Sequence, residues 1–234
     1  MLWQRSITVR ILHALTALLT LTGLVTSLHL GWTRDSDLPV GVGYGHSFAA
    51  GWEHMLNQLA YFTFISALMV FVSSVWTALR PASTSAVLRT VRLSGLVCVI
   101  ITGLVFNVLL REPVPLTGVM LFNDTVLHVA VPVLVPLVWA AIGPHGTLSA
   151  RIVLASMAIP VAWLAATLLR GPRLDWYPYT ILDVPTLGYS GISVYVVSIL
   201  ALYLILALGF LGLDRLLLRA HSGSEASALR SGTR

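Results

Sequence analysis

The sequence predicts an all-α integral membrane protein built as a bundle of six transmembrane helices. Of its 234 residues, 57% are hydrophobic and only 10% are charged, and the mean hydropathy is +0.88, far too apolar for a soluble domain. The apolar residues fall into runs long enough to cross a hydrocarbon core of ~30 Å as helices. These runs lack the period-two alternation of barrel strands, and in lipid each helix satisfies its own backbone groups.

The predicted spans cover about residues 7–28, 51–79, 91–110, 125–142, 152–169 and 191–213. The first run is longer than the apolar region of a signal peptide, and no small-residue cleavage site follows it, so it is predicted as a span. The second run, of about 29 residues, would be roughly 43 Å long as a helix, more than the core requires. Its first turns carry Glu53 and His54, so the lipid-embedded part is expected to begin near Leu59.

The fourth predicted span carries Pro132 and Pro136. Each proline removes a helix N–H donor, so a kink is expected, with the freed carbonyls bonded by neighbours or water. Residues 1–218 form the predicted membrane domain. The Ser-, Gly- and Ala-rich segment 219–234 is predicted to be a disordered cytoplasmic tail.

The distribution of arginine predicts that both termini are cytoplasmic, because arginines concentrate on that side of a membrane. One set of helix ends holds Arg5, Arg10, Arg80, Arg89, Arg92, Arg151, Arg215, Arg219, Arg230 and Arg234. The other set holds Arg34, Arg111, Arg170 and Arg173. The net charge of +5 is then mainly an inner-leaflet anchor, and no basic-aromatic surface indicates nucleic acid. The single cysteine, Cys98, excludes an internal disulfide.

Two polar side chains inside predicted spans suggest chemistry. Thr63 places a hydroxyl in lipid, and its common alternative is a bond to a carbonyl one turn earlier. His128 places an imidazole at the outer end of another span, where it could instead simply reach the lipid headgroups. Both lie about 6 Å below the outer interface, so they can face one another. Asp124, four residues before His128, projects from the same helix face and is positioned to hold one ring nitrogen.

The predicted outward segments are rich in aromatic residues. Trp176, Tyr177, Pro178 and Tyr179 are followed by Asp183. A plain loop with aromatic belt residues is one interpretation. A proline-fixed reentrant cap over the mouth of a cavity is the other.

Three segments resemble, in order and spacing, the androgen-induced-gene family of transmembrane threonine hydrolases and its prokaryotic six-span relatives. They are Phe62-Thr63-Phe64-Ile65, Leu127-His128-Val129-Ala130-Val131-Pro132, and Trp176-Tyr177-Pro178-Tyr179 with Leu182-Asp183 and Gly188-Tyr189. The resemblance implies hydrolysis of fatty acid esters of hydroxy fatty acids, with Thr63 as nucleophile and His128 as base. It also implies a multi-pass protein of a bacterial plasma membrane.

The chain departs from the family pattern at several positions. Prokaryotic relatives often have Gln-Ser-Asn where this chain has Ile65-Ser66-Ala67, and eukaryotic members tend to have an acidic residue at the position of Ser66. Thr180 replaces a proline, and Asp124 stands where an amide is usual. These differences affect the expected substrate and activity more than the fold.

A threonine nucleophile also requires donors for the oxyanion. The candidates for this or a supporting role are Asn107, Asn57, Gln58, Ser66 and Asp124, and for the amides interhelical hydrogen bonding is an equal alternative. Tyr177 and Asp183 are expected at the cavity mouth, with Trp176 and Pro178. The expected partner is a lipid ester, with no cofactor and no metal, and the oligomeric state stays open.

Two other functions remain compatible with the sequence. His13 and His54 join His128 beside or within spans, and paired histidines in bundles can ligate haem. His13 lies toward the cytoplasmic end and the other two toward the outer end, which disfavours a shared haem. A lipid-binding or transport protein without turnover is the third possibility.

Overall fold

The computed structural model describes residues 2–113 and 115–231, with side chains for 7–113 and 115–220. This part of the chain is helical and contains no strand. Six of its helical stretches are long and apolar enough to cross a membrane: Ile7–Thr33, Phe62–Leu79, Ala86–Leu110, Gly118–Ile142, Ala150–Leu174 and Val184–Ala220. The all-α, six-span fold class is therefore confirmed, and the orientation of the termini stays a prediction.

The helices are α1 Leu2–Thr33, α2 Trp52–Asn57, α3 Phe62–Leu79, α4 Ala86–Val105, α5 Gly118–Thr125, α6 Val131–Ile142, α7 Ala150–Leu174 and α8 Val184–Ser231, and α8 is kinked at the non-helical residue Gly188. Wide π-turns extend α4 over Phe106–Leu110 and join α5 to α6 over Val126–Ala130. Most spans extend a few residues beyond the predicted bounds. Helix α8 enters the predicted tail, where residues 232–234 and the side chains beyond 220 lie outside the described residues.

The prediction of one continuous helix over 51–79 is wrong. The structure has the short helix α2, a 3-10 turn over Gln58–Ala60, and an extended residue, Tyr61, at φ −75° and ψ 134°. The transmembrane helix α3 begins only at Phe62. This break gives the span a helix N-terminus close to Thr63.

Helix α4 lies at the centre of the bundle. It packs against α3, α6, α7 and α8, and its residues Val97 and Cys98 are fully buried. Gly95 allows this close approach, because a Cβ there would lie 3.1 Å from the backbone nitrogen of Val70 on α3. The large apolar side chains on the outer faces are exposed, as expected for helices surrounded by lipid.

A cap formed by residues 34–51 and 175–183 covers the end of the bundle where α3 begins and α4 ends. The carboxylate of Asp183 accepts the N–H of Gly43 at 2.8 Å, and that of Asp175 accepts the N–H of Gly45 at 2.8 Å. These bonds fasten the two segments of the cap to each other. The candidate site lies directly beneath it.

Candidate functional site

Thr63 and His128 lie side by side, as their similar depths predict. The Thr63 Oγ1 atom is 3.5 Å from the His128 Nε2 atom. This is the long end of a hydrogen bond, and contacts of this kind commonly shorten when substrate binds. Unlike Ser66, which donates to the Phe62 carbonyl at 2.7 Å, Thr63 makes no bond to a carbonyl one turn earlier among the described residues. Its hydroxyl is instead within reach of the imidazole and of the Tyr179 hydroxyl, which is 3.3 Å away.

The other ring nitrogen of His128 is held by a carboxylate. His128 Nδ1 lies 3.0 Å from Asp124 Oδ1, and the second oxygen of Asp124 accepts a bond from Arg111 Nη2 at 3.0 Å. The side chains of Asp124 and His128 are only 7% and 12% exposed. With Asp124 ionised, Nδ1 carries the proton and Nε2 presents its lone pair to Thr63. The arrangement is a threonine–histidine–aspartate chain with an arginine at its outer end.

Aromatic packing fixes the plane of the imidazole. The rings of Phe106 and His128 stack with centroids 3.5 Å apart and planes 3° apart, and the Arg111 guanidinium lies 5.1 Å from the centre of the Phe106 ring. Phe106 and Arg111 both follow α4, so one helix end supports the ring and the carboxylate together. His128 consequently has little freedom to rotate away from Thr63.

The carbonyls that the prolines leave without a helical donor were expected to be bonded by neighbouring groups. This expectation is confirmed for the His128 carbonyl. Pro132 has no N–H for the His128 carbonyl four residues earlier, and the Asn107 side-chain amide donates to that carbonyl at 2.9 Å. A Cβ on Gly103 would lie 2.7 Å from the Cβ of Pro132, so glycine is needed for this approach. Asn107 also donates to the Gly103 carbonyl at 2.7 Å and accepts from Arg111 Nε at 3.0 Å.

The helix break places Thr63 in the first turn of α3. The Trp163 indole donates to the carbonyl of Ala60 at 2.9 Å, which satisfies a group that a continuous helix would have used. The first helical bond runs from the Ile65 N–H to the Tyr61 carbonyl, so the N–H groups of Thr63 and Phe64 have no acceptor within the helix. These amides, with the positive end of the helix dipole, favour negative charge at this point.

The hydroxyl of Tyr179 also contacts Thr63. It accepts the Thr63 backbone N–H at 3.2 Å and lies 3.3 Å from Thr63 Oγ1. Burial raises the pKa of Tyr179, so the phenol keeps its proton over the working range of an enzyme. Because its oxygen accepts one bond, that proton is available for an oxygen near Thr63.

Two cavities meet at Thr63. One has about 670 Å³ of open space and almost entirely apolar walls from α3, α4, α7 and α8, including Phe62, Ile101 and Leu164. The other has about 780 Å³ and a more polar lining that includes His128, Gln58 and Asn123. Thr63 and Tyr179 line both cavities. The hydroxyl is thus accessible from a side suited to a hydrocarbon chain and from a side suited to water.

The cap residues have different positions relative to the cavities. Pro178 lines the polar cavity, while Trp176 and Tyr177 are buried in the aromatic cluster of the cap. Asp183 is 2% exposed and bonds the Gly43 N–H and, at 3.3 Å, the Thr186 N–H. The segment is therefore a packed cap over the cavities, and Asp183 fastens it.

Three of the oxyanion candidates either lie outside the two cavities or have their donors engaged elsewhere. The Asn57 Oδ1 atom accepts from Arg170 at 2.6 Å, and Asn57 lines neither cavity at Thr63. Both N–H groups of the Asn107 amide already bond carbonyls, and Ser66 bonds Phe62 and, at 3.5 Å, Thr102. Gln58 alone of the predicted amides lines a cavity with Thr63. The first-turn amides and Tyr179 are better placed for an oxyanion than Asn57, Asn107 or Ser66.

The other two span-associated histidines lie apart from this site. His54 Nδ1 bonds the Arg34 carbonyl at 2.7 Å beneath the cap. His13 lies in a separate pocket at the opposite end of α1 from the cap. Within the described residues, no three histidine, cysteine, aspartate or glutamate side chains gather as a metal site.

Sequence reasoning missed Tyr179, Arg111 and Phe106 as site residues. Tyr179 belongs to the aromatic motif already singled out, but the direction of its hydroxyl depends on how the cap folds. Arg111 is four residues after Asn107, a spacing that places both on one helix face, which is a signal the sequence contained.

Comparison with family models, with curated proteins and with solved structures gave no match for the chain.

Proposed function

We propose that this protein is an intramembrane lipid ester hydrolase that cleaves long-chain fatty acid esters, with Thr63 as nucleophile and His128 as general base. The observation that carries the proposal is the 3.5 Å contact between the Thr63 hydroxyl and an imidazole whose other nitrogen is held by Asp124. A hydroxyl nucleophile, a base and a group that orients the base are the elements of acyl transfer. The motif resemblance to the transmembrane threonine hydrolases supports the same assignment.

The proposed reaction has two steps. His128 Nε2 takes the proton of Thr63 as the hydroxyl oxygen attacks the ester carbonyl, and then gives it to the departing alcohol. Water from the polar cavity, activated by the same nitrogen, next attacks the acyl-threonine and releases the fatty acid. Asp124 stabilises the imidazolium in both steps, and Arg111 holds Asp124 in place.

Stabilisation of the oxyanion is assigned to the start of α3 and to Tyr179. The Phe64 N–H group has no helical acceptor, the Thr63 N–H group holds the Tyr179 oxygen at 3.2 Å, and the proton of Tyr179 can point to the same region. Donors fixed before the reaction contribute more than donors that must be recruited, because no reorganisation is required. This feature offsets the weak acidity of a threonine hydroxyl.

The two cavities support a substrate with hydrocarbon on one side of its ester group and a polar or solvated group on the other. The apolar cavity suits the acyl chain, and the polar cavity suits the leaving alcohol and water. An ester of a hydroxy fatty acid fits this division. The arginine distribution supports an orientation with cytoplasmic termini and an outward-facing site. The motif resemblance supports a bacterial plasma membrane.

The experiment that tests the proposal is hydrolysis of a long-chain fatty ester by purified protein in detergent. Wild type is compared with the variants Thr63→Ala and His128→Ala, each expected to lose about a thousandfold in kcat/KM while keeping the wild-type melting temperature. Thr22→Ala and His29→Ala are matched controls, because Thr22 bonds only its own helix and His29 is exposed. Inactivity of folded wild type across an ester panel would instead indicate a lipid-binding protein.

A further inference from the structure

A second pocket, whose mainly apolar lining includes several polar residues, lies at the opposite end of the bundle from Thr63. Ser73 and Ser74 on its wall are about 15 Å along α3 from Thr63. The remaining polar walls come from His13 and Thr16 of α1 and Arg92 of α4, and Trp139 of α6 closes one side. The proposed hydrolysis uses none of these residues.

His13 lines this pocket. It is 5% exposed, and neither of its ring nitrogens makes a hydrogen bond of good geometry within the described part of the chain, although the backbone of Gly143 lies close enough to act on the ring. A buried imidazole with both nitrogens unbonded loses the hydration of two polar atoms and gains no hydrogen bond in exchange, which lowers the stability of the folded protein. A bound polar group in the pocket would remove that cost.

Arg92 brings a positive charge without a direct ion pair to the same pocket. It is 9% exposed, and no carboxylate among the described residues lies within 4 Å of it to form an ion pair. Asp214 is the acid whose charge acts on Arg92, but its oxygens accept the N–H groups of Gly146 and Leu148 at 2.9 Å. Arg89, one turn before Arg92 on α4, adds a second positive charge. A guanidinium buried in a span is stabilised by an anionic group in direct contact with it.

We propose that this pocket binds a phosphate oxyanion, either free or as the phosphodiester of a lipid headgroup. The Arg92 guanidinium matches two phosphate oxygens at once, and the ring N–H of His13 and the Ser74 hydroxyl are further donors. The open space is about 340 Å³ including its entrance, and a water molecule occupies about 30 Å³ of liquid. The pocket is small and part of this space belongs to its entrance, so a phosphate group has room only in direct contact with the walls, and the acyl chains of a lipid must remain outside, along the apolar helix faces.

The test measures ligand-induced thermal stabilisation of the purified full chain in the Thr63→Ala background, so that no lipid ester is hydrolysed. The three probes are dioleoyl phosphatidylglycerol, inorganic phosphate and dioleoylglycerol, which lacks the phosphate. We expect phosphatidylglycerol, inorganic phosphate or both to raise the melting temperature by about 5 °C at saturation, and dioleoylglycerol to leave it unchanged. A shift with phosphatidylglycerol alone identifies a lipid headgroup as the source, and a shift with inorganic phosphate identifies free phosphate.

Variants locate the effect in the pocket. Arg92→Gln and His13→Gln should each abolish the ligand-induced shift, whereas Arg151→Gln, an exposed arginine at the start of α7, should keep it. An equal shift in Arg92→Gln and wild type would overturn the proposal, as would no shift with either phosphate probe. If Arg92→Gln does not fold, the proposal is decided by the wild-type protein alone. Its melting-temperature shifts with phosphatidylglycerol and inorganic phosphate are then compared with its shift with dioleoylglycerol. Because no hydrolysis is measured, the result is independent of the proposed enzyme activity.

Discussion

The Asn107 side chain donates to the backbone carbonyl of His128 at 2.9 Å, and this is the carbonyl that Pro132 cannot serve. One amide of α4 thereby holds the backbone of the proposed base at the point where its helix lacks a donor. Asn107 was expected either as an oxyanion donor or as an interhelical contact. In the structure Asn107 makes an interhelical contact, and through it Asn107 acts on the backbone of His128.

Asn107→Leu should lower both activity and stability. Its loss leaves the His128 carbonyl without this donor, which costs about 1 kcal/mol for a bond that is partly accessible. In a Pro132→Ala background the alanine N–H can bond the carbonyl, so Asn107→Leu should then cost less. The measurement is a double-mutant cycle of melting temperature and kcat. Equal costs of Asn107→Leu in both backgrounds would contradict the assignment.

Tyr179→Phe should reduce kcat about a hundredfold with little change in KM, because the lost hydroxyl is expected to act on the oxyanion more than on the bound ester. The ring is retained, so the packing of the cap should survive. Tyr189→Phe is the control, since Tyr189 is 62% exposed. Steady-state kinetics of the two variants distinguish this role from a loss of folding, and a Tyr179 variant with wild-type kcat would exclude the hydroxyl from the reaction.

The sequence was sufficient for the fold class and for the central pair of side chains. Hydropathy places all six spans, and counting residues from the ends of two spans puts Thr63 and His128 at one depth. The i−4 spacing places Asp124 beside His128, where the structure has it at 3.0 Å. These predictions depend only on helix geometry and on the polarity of lipid, which local sequence expresses directly.

The break before α3 was beyond sequence reasoning, because no proline or glycine marks it. Tyr61 is extended because Trp163 bonds the carbonyl of Ala60 and because its ring packs on Trp176 and Tyr179 at 5.5 and 5.9 Å. Those partners lie a hundred or more residues away. The same break carries Asn57 out of the site, since the short helix before it packs toward Arg170.

Trp163→Phe should therefore reduce activity while leaving the bundle folded. Phenylalanine keeps most of the aromatic packing but cannot donate to Ala60, so the start of α3 is held less firmly. We expect kcat to fall about tenfold, as for a positioning contact, and Trp32→Phe, at an exposed tryptophan, to have no effect. Hydrogen exchange at the first-turn amides of α3 should rise only in the Trp163 variant; unchanged exchange would show that the indole bond does not hold the break.

Gly171→Ala should destabilise the cap. A Cβ at this position would overlap the Tyr177 ring, which is 2% exposed and has no free space to move into. Overpacking of this kind costs about 1–3 kcal/mol. Gly212→Ala is the matched control, because it is also helical and a Cβ there meets nothing within 4 Å, so it should be neutral or slightly stabilising. Thermal melting of both variants tests the difference, and equal melting temperatures would show that Tyr177 is not tightly held.

Tyr44 should make the cap sensitive to alkali. Burial, with a contribution from Asp183, raises the pKa of Tyr44 to about 12 in the folded protein, above its ordinary value near 10. The folded state therefore holds this proton more tightly than the unfolded state does. The resulting stability is fully present below pH 10 and is lost as the pH rises through 12.

Melting temperatures between pH 8 and pH 11.5 should fall less steeply for Tyr44→Phe than for wild type. Because burial raises the pKa values of Tyr61 and Tyr177 in the same direction, the variant should retain part of the fall. Identical slopes for the two proteins would mean that the Tyr44 hydroxyl is hydrated and does not belong to the buried cluster of the cap.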